Sequence, residues 1–422
     1  MTKIDAGRLT NPDRWRQALP DRLFHSLLAW IEGQGFDVTH QRWLTGGRSG
    51  CYVAVVTLTP GCGKARGAVL KLFPPGLGQR ESRGVSLAKQ NSPPGFYQAH
   101  MVDTIEVDPL PNSDWWLHIQ AVADADLARI RPLAELIDDP RLAHFCELVA
   151  STITEGWDED RPDQAPFETT LSGFMTMETA DRMGPLARFA AAEKLDLRRP
   201  HPVICLAGRH NALPNPLATL NSTLGAHDSI AVYTSNGHGD LHAGNLLMLP
   251  DDDTFRMIDY GRFSPTTPVS RDPVKLVLSI VEHWLADLTP TSHARRRLAE
   301  IVVKPREVVP DAAVSGYHDV VKRVFDAASA WGTQRHLSTE WQRQYLLILA
   351  SSALRTVARD DIPVHDRWWF LEVSALALAD LIKAAAKIGN GHGSWSGRSL
   401  NDLKETDDQF DFWFDALSHR TA

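Results

Sequence analysis

Residues 237–261 read GHGDLHAGNLLMLPDDDTFRMIDYG, and the rest of the chain is best interpreted from this segment. Its middle has the pattern of a β-hairpin. The apolar run Leu246–Leu249 is followed by turn-forming residues at 250–254 and by a second, mainly apolar run at 255–258. Two short apolar runs joined by a cluster of Pro, Asp and Thr predict antiparallel strands connected by a tight turn.

Polar side chains lie at both ends of this predicted hairpin. Because a hairpin returns the chain to its starting point, we expect Asn245 at its entry to lie beside Asp259 at its exit. Asp240 comes five residues before Asn245, in a loop that is rich in glycine and histidine. These residues place two carboxylates and a carboxamide together. Such an oxygen-only ligand set suits Mg²⁺, which prefers one or two carboxylates together with substrate phosphates.

Two motifs in this segment have the spacing found in kinases. Asp240 and Asn245 fit the Asp-x-x-x-x-Asn of a kinase catalytic loop, and residues 258–261, IDYG, stand where kinases carry Asp-Phe-Gly. Residues 238–247, HGDLHAGNLL, resemble the catalytic loop of aminoglycoside phosphotransferases and their choline-kinase-like relatives, a branch of the protein-kinase-like fold. The alternative is a loop in which aspartate and histidine only form turns and caps.

The resemblance implies a fold and a set of roles. The fold is α+β: a two-lobe protein-kinase-like fold with a small antiparallel β N-lobe, a large and mostly helical C-lobe, and a helical C-terminal extension. Asp240 would be the catalytic base that orients an acceptor hydroxyl and receives its proton. Asn245 and Asp259 would hold Mg²⁺. His238 and His242 are expected to brace the loop by hydrogen bonds without taking part in the chemistry.

Residues 36–73 have the pattern of strands around a glycine-rich turn. A strand at 38–44 precedes the turn, and β runs at 51–58 and 68–73 follow it. Glycine lets a backbone come close to phosphate oxygens, which the backbone N–H groups then bind. An ordinary hairpin turn is the alternative, and the turn lacks a complete G-x-G-x-x-G. The candidate phosphate-binding residues are Thr45, Gly46, Gly47, Ser49 and Gly50.

Lys71 lies inside the apolar strand at 68–73, where a lysine either extends to the surface or serves a buried anion. Residues 68–71, AVLK, resemble the Val-Ala-Ile-Lys of kinases, whose lysine binds the α/β-phosphates. That lysine is held by a carboxylate on the next helix, and Glu81 is the only acid between Lys71 and Asp103. Glu81 is therefore predicted to position Lys71; a solvated helical glutamate is the alternative.

The chain is predicted to contain four segments. Residues 1–35 form an N-terminal helix, 36–122 a nucleotide-binding β domain, 123–290 a C-lobe with the catalytic loop and metal motif, and 291–422 a helical part with an aromatic-acidic tail. In the resembled family, adenine binds backbone groups of the hinge, here placed at 123–126. The C-terminal helices are predicted at 293–303, 312–331, 339–359 and 366–388.

Composition excludes several classes of protein. Hydrophobic residues make up 43% of the chain and charged residues 23%, as in soluble globular proteins. The net charge of −8 argues against nucleic acid as the main partner. The N-terminus lacks the apolar core of a signal peptide, and no run of about 18 apolar residues predicts a membrane span. The four cysteines show no metal-like spacing, so we expect a cytoplasmic protein with reduced thiols.

These patterns together predict an enzyme that uses ATP and Mg²⁺ to phosphorylate a hydroxyl group of a small molecule, in the antibiotic, amino alcohol or sugar class. No long activation segment ending in Ala-Pro-Glu follows the metal motif, which favours a small molecule over a protein as acceptor. Three alternatives remain: a protein kinase that recruits its partner through the helical C-terminal part, a nucleotide-binding regulatory module without turnover, and an enzyme that transfers a nucleotidyl group.

Overall fold

The computed structural model has the predicted α+β class, with a mainly antiparallel sheet in the N-terminal part and helices in the C-terminal part. Three predicted features lie outside the residues that the structure describes: most of the glycine turn (45–49), the hinge (123–126) and the aromatic-acidic tail (401–417). The described residues are 8–44, 50–60, 64–121, 130–157, 165–195, 203–204, 213–220, 229–249, 251, 253–290 and 292–389.

The described residues form strands and helices with the following bounds. The strands are β1 (Leu9–Thr10), β2 (Phe36–Trp43), β3 (Tyr52–Pro60), β4 (Arg66–Phe73), β5 (Asp103–Pro109), β6 (Trp116–Ala121), β7 (Arg131–Pro132), β8 (Phe167–Thr170), β9 (Val203–Ile204), β10 (Leu213–Pro214), β11 (Ser229–Val232), β12 (Thr234–Gly237), β13 (Leu246–Leu249), β14 (Thr254–Met257) and β15 (Ser264–Pro268). The α-helices are α1 (Pro12–Ala18), α2 (Asp21–Gln34), α3 (Leu77–Asn91), α4 (Pro94–His100), α5 (Leu142–Ser151), α6 (Leu171–Thr179), α7 (Met183–Ala192), α8 (Pro216–Thr219), α9 (Arg271–Asp287), α10 (His293–Val303), α11 (Ser315–Gln334), α12 (Ser338–Val357) and α13 (Val364–Gly389).

The chain forms two compact units that do not follow the sequence continuously. The first contains Met1–Arg161 and Ser235–Thr267, and the second contains Pro162–Thr234 and Pro268–Ala422. The predicted catalytic loop and metal motif therefore belong to the same unit as the N-terminal sheet. All the described candidate site residues lie in this first unit.

The main sheet of the first unit has six strands in the order β1-β2-β3-β4-β6-β5. Its edge strand β1 pairs in parallel with β2, whereas the other neighbours are antiparallel. The predicted single N-terminal helix is two helices, α1 and α2. Leu19 between them has an extended backbone. It precedes Pro20, and a proline disfavours helical backbone in the residue before it.

The two faces of this sheet pack against different parts of the chain. Along β4, Leu70 and Leu72 point to one face, where they pack with α1 and α2 in a core that includes Trp15. Side chains alternate along a strand, so Val69 and Lys71 point to the opposite face. There Val69 packs in a smaller cluster with Val102, Ile130, Leu247 and Ile258, two of which belong to the 237–261 segment. The strand thus turns Lys71 toward the predicted catalytic hairpin.

Helix α3 approaches this hairpin segment very closely at Gly84. A Cβ atom placed on Gly84 would lie 1.9 Å from the carbonyl oxygen of Tyr260, so only glycine fits. We predict that Gly84→Ala lowers the free energy of unfolding by about 1–3 kcal/mol, the usual cost of overpacking. The matched control is Gly33→Ala in α2, where a Cβ would meet no atom within 4 Å. There we expect a gain of about 0.4–1 kcal/mol in urea unfolding experiments.

The second unit is mainly helical, and the predicted C-terminal helices are confirmed: α10 to α13 lie within a few residues of their predicted positions. Buried polar contacts hold these helices to each other and to the rest of the second unit. Arg295 pairs with the buried Asp366, and the Gln344 carboxamide exchanges two hydrogen bonds of 2.9 and 3.0 Å with the backbone of Tyr233. Across the described ranges, no helix is both long enough and apolar enough to cross a lipid bilayer.

Candidate active site

The predicted hairpin is present and brings the polar residues at its two ends together. β13 pairs with β14 in antiparallel register, with Leu246 opposite Met257. One step beyond this pair, the amide of Ile258 donates a 3.0 Å hydrogen bond to the carbonyl of Asn245. Asn245 and Asp259 therefore sit at the same open end of the hairpin.

Asp240 is fixed by the backbone of the loop that precedes the hairpin. Its carbonyl accepts hydrogen bonds from the amide of His242 and from Nδ2 of Asn245, both at 3.0 Å. The carboxylate is 38% exposed, and its Oδ2 lies 3.9 Å from Nε of Arg262. Gly239 before it has a φ of +76°, and a Cβ there would lie 2.3 Å from the Arg262 carbonyl. These contacts fix the backbone position of Asp240, while its carboxylate reaches solvent.

The two histidines of the loop make contacts that hold its shape. Nε2 of the buried His238 lies 2.9 Å from the carbonyl of Ile258, to which it donates, so the histidine links the loop to the end of the hairpin. Nδ1 of His242 accepts the amide of Gly244 at 3.1 Å. Both contacts are of the bracing kind that the sequence predicts, and the absence of a chemical role stays a prediction.

Lys71 is a buried cation whose ion-pair partner is Asp259. The lysine is 2% exposed, its Nζ lies 3.9 Å from Oδ2 of Asp259, and Nζ makes no hydrogen bond to any described residue. Burial pushes the pKa of Asp259 upward, but the Lys71 ammonium and a hydrogen bond with Glu81 outweigh it and keep that pKa below its usual value. A buried ammonium without a hydrogen bond is costly, which points to an anion as its missing partner.

Asp259 has an unusual backbone conformation. Its φ is +72°, in the left-handed region that glycine occupies most readily. Aspartate tolerates this region better than most side chains, but at some cost. The side chain is 41% exposed, so the carboxylate reaches solvent. A carboxylate kept at a position that favours glycine suggests a functional reason for its presence.

Glu81 holds the backbone beside Asp259. It is 2% exposed, and its Oε1 accepts the amide of Tyr260 at 2.9 Å. Burial raises its pKa to about 8; Lys71 opposes this rise and Asp259 adds to it. The predicted role of Glu81 as the positioning partner of Lys71 stays a prediction, because the ion pair that Lys71 makes here is with Asp259.

The raised pKa of Glu81 predicts a pH-dependent stability. Between its ordinary pKa of 4.5 and its folded pKa of about 8, the unfolded chain loses this proton while the folded chain keeps it. The resulting contribution to stability is complete below pH 4.5 and is lost as pH rises toward 8. We therefore expect Glu81→Gln, which keeps the acceptor for Tyr260, to become progressively more stable than the wild type over this range.

This expectation is tested by urea unfolding at several pH values across that window. The control is Glu32→Gln at an exposed position of α2, which should follow the wild type at every pH. If the curves for Glu81→Gln and the wild type run parallel, Glu81 does not hold an extra proton in the folded protein.

Sequence reasoning missed two side chains of this site. His118 on β6 lies opposite Lys71 on β4, with its Nδ1 3.9 Å from Glu81. Burial, followed by the Lys71 charge, lowers the His118 pKa to about 3, so this histidine is neutral. Arg262 is the second. Its position directly after the 258–261 motif was a signal, whereas His118 depends on a strand register that the sequence does not reveal.

The site suits a Mg²⁺–nucleotide complex in the chemistry of its donors. Asn245 uses Nδ2 to bind the Asp240 carbonyl, so its carboxamide oxygen is the atom suited to a metal. With the Asp259 carboxylate it would form a small oxygen ligand set of the kind Mg²⁺ takes beside phosphates. Among the predicted turn residues, Gly50 is described and has a φ of +70°. Nowhere in the described part of the chain do three or more His, Cys, Asp or Glu side chains gather to hold a metal.

Comparisons with known proteins give matches at low similarity. A glucosamine kinase in complex with glucosamine, ADP and inorganic phosphate is 14% identical, with a TM-score of 0.40 over 84% of each chain. An ethanolamine kinase from Plasmodium vivax is 8% identical, with a TM-score of 0.38 over 88% of each chain. A type VIII aminoglycoside-3'-phosphotransferase is 17% identical, with a TM-score of 0.28 over 67% of this chain and 93% of that one.

Two further comparisons cover the sequence. A family model described as ternary complex associated domain 9 matches residues 198–379, less than half of the 422 residues. No curated protein matches the chain.

Proposed function

We propose that the chain is a phosphotransferase that uses Mg²⁺ and ATP to phosphorylate a hydroxyl group of a small molecule. The observation that carries this proposal is the buried Lys71 ammonium, which has the Asp259 carboxylate at 3.9 Å and no hydrogen-bond partner among the described residues. Nucleotide phosphates would supply the missing acceptors. Asp240, on the loop that leads into the same hairpin, supplies a solvent-accessible carboxylate for the acceptor.

The proposed roles follow from the positions of the side chains. Asp240 orients the acceptor hydroxyl and receives its proton as the oxygen attacks the γ-phosphorus. Lys71 binds the α/β-phosphates, and Glu81 holds the backbone beside Asp259 through the Tyr260 amide. Asn245 and Asp259 would hold Mg²⁺, which when bound neutralises charge on the phosphates. The glycine turn at 45–50, most of which lies outside the described residues, is proposed to cover the phosphates.

The acceptor class is proposed from the short segment after the metal motif. Residues 262–270 lead from Gly261 directly through β15 into α9, without a long segment on which a protein substrate could be laid out. A compact hydroxylated acceptor is therefore favoured, in the antibiotic, amino alcohol or sugar class. A protein acceptor and a regulatory nucleotide-binding role become outcomes of the test below.

The test is incubation of the protein with Mg²⁺, ATP and a panel of hydroxylated compounds, read by the mass of the acceptor. The panel should include glucosamine, ethanolamine and spectinomycin, because kinases for these compounds are among the structures similar to this chain. We expect one member to gain the mass of a single phosphate. A gain of a nucleotidyl group would contradict phosphoryl transfer. ATP binding without any modified small molecule would contradict the small-molecule acceptor and favour a protein partner or a regulatory module.

A further inference from the structure

Buried side chains with unpartnered polar atoms line one face of β4 and β6. Three of them lie close together in the strand register: Lys71 is opposite His118, and Val69 is opposite Gln120. Lys71 Nζ, His118 Nδ1 and both polar atoms of Gln120 make no hydrogen bond in the described protein. The proposed phosphate contact accounts for Lys71, and His118 bonds Thr104 Oγ1 through its other nitrogen at 3.0 Å. Gln120 remains unexplained.

A glutamine at position 120 is energetically unfavourable in this environment. It is 0% exposed, and neither its Oε1 nor its Nε2 has a hydrogen-bond partner among the described residues. A buried polar group that is left unsatisfied lowers stability, so leucine or methionine would be more stable there. The second unit offers a contrast: Gln344 is equally buried, but its carboxamide bonds the backbone of Tyr233 at both ends. An amide group with both ends unsatisfied therefore points to a ligand that supplies one donor and one acceptor.

The register places Gln120 where the base of a nucleotide would lie. It is two residues from His118 along β6, or about 7 Å from the level of Lys71. The other direction is filled, because Trp116 packs so tightly under α3 that a Cβ on Gly78 would lie 2.2 Å from it. On the Gln120 side the same face carries the apolar Val69 cluster, flanked by the partly buried Val53. Apolar side chains of this kind suit the flat faces of a purine.

We propose that the Gln120 carboxamide recognises the adenine base of the bound nucleotide. Its Oε1 accepts from the six-amino group and its Nε2 donates to a neighbouring ring nitrogen, the pairing by which glutamine reads adenine in nucleic acids. This assignment rests on the proposed function, since it requires a nucleotide whose phosphates lie at Lys71. It makes Gln120 a specificity-determining residue for the base.

The test compares two ligands and two proteins. ATP and purine riboside triphosphate, which lacks the six-amino group, are titrated into the wild type and into Gln120→Met in the presence of Mg²⁺. We expect the substitution to weaken ATP binding about tenfold, the value of one to two hydrogen bonds. The same substitution should weaken binding of the analogue by only about threefold, because the analogue lacks the amino contact and loses only the bond from Nε2 to the ring nitrogen.

Two controls separate recognition from stability. Without nucleotide, Gln120→Met should unfold at the same temperature as the wild type or a higher one, because it removes two unpartnered polar atoms. Gln344→Met, which breaks two satisfied hydrogen bonds, should lower the unfolding temperature and leave the preference for ATP over the analogue unchanged. Gln120→Leu replaces the methionine variant if the latter does not fold.

The outcomes distinguish this inference from the proposed function. Suppose that the wild type binds ATP and that Gln120→Met lowers the affinities for ATP and for the analogue by the same factor, or lowers neither affinity. Gln120 then does not read the base, and the inference is wrong while the proposed function stands. If the wild type binds neither nucleotide, the proposed function fails and the inference fails with it.

Discussion

Asp240→Asn is expected to reduce acceptor phosphorylation by about 10²–10⁴-fold, the contribution of a positioned general base. The substitution keeps the size of the side chain and leaves the backbone carbonyl of Asp240 free to accept from His242 and Asn245. The loop should therefore retain its shape. ATP affinity should change by less than about twofold, because Asp240 acts on the acceptor. Steady-state turnover and equilibrium ATP binding measure the two effects separately.

The matched control for this experiment is Asp253→Asn in the hairpin turn of the same segment. Asp253 has a φ of +44°, which asparagine accepts, and its side chain is 61% exposed. Turnover of this variant should stay within about twofold of the wild type. Full activity in Asp240→Asn would remove Asp240 from the chemistry, and an equal loss in both variants would indicate a general effect of the segment.

Asp259→Asn is expected to weaken the binding of ATP in the presence of Mg²⁺ by at least about 100-fold. Loss of a residue that only supports a metal ligand lowers metal affinity by about 10–100-fold, and loss of the ligand itself should lower it at least as much. Asparagine accepts the φ of +72° as well as aspartate does, so the backbone should not change. The substitution also removes the charge that faces Lys71. The readout is the KM for ATP as a function of Mg²⁺ concentration, which should lose its dependence on the metal.

A second substitution at the same residue separates charge from backbone strain. Asp259→Gly also lacks the carboxylate but relaxes the left-handed backbone, so it should be more stable than Asp259→Asn and equally defective with Mg²⁺ and ATP. If either variant binds ATP with the wild-type dependence on Mg²⁺, Asp259 is not a metal ligand.

Local sequence patterns predicted the elements in which one segment determines its own structure. The hairpin β13–β14 follows from two apolar runs around a polar turn, and α10 was predicted with the observed bounds of 293–303. The break between α1 and α2 was missed although Pro20 marks it, because apolar spacing continues across the proline. The fold class, which was predicted from such local patterns together with the resemblance, is confirmed by the structure.

Contacts between distant segments were less predictable. Glu81 was identified as a buried acid of the site only through the resemblance, and its bond to the Tyr260 amide depends on the close approach of α3 at Gly84. His118 and Gln120 face Lys71 and Val69 because of a register between strands more than forty residues apart. No local pattern reports such a register, since it is decided by how the whole sheet packs.

The Mg²⁺–ATP site is tested by the equilibrium affinity of the unmodified protein for ATP, measured with Mg²⁺ and with the metal chelated. If the buried Lys71 binds phosphates while Asn245 and Asp259 hold the metal, binding should be at least about tenfold tighter with Mg²⁺. Absence of binding, or equal affinity under the two conditions, would contradict a Mg²⁺–ATP site at this hairpin.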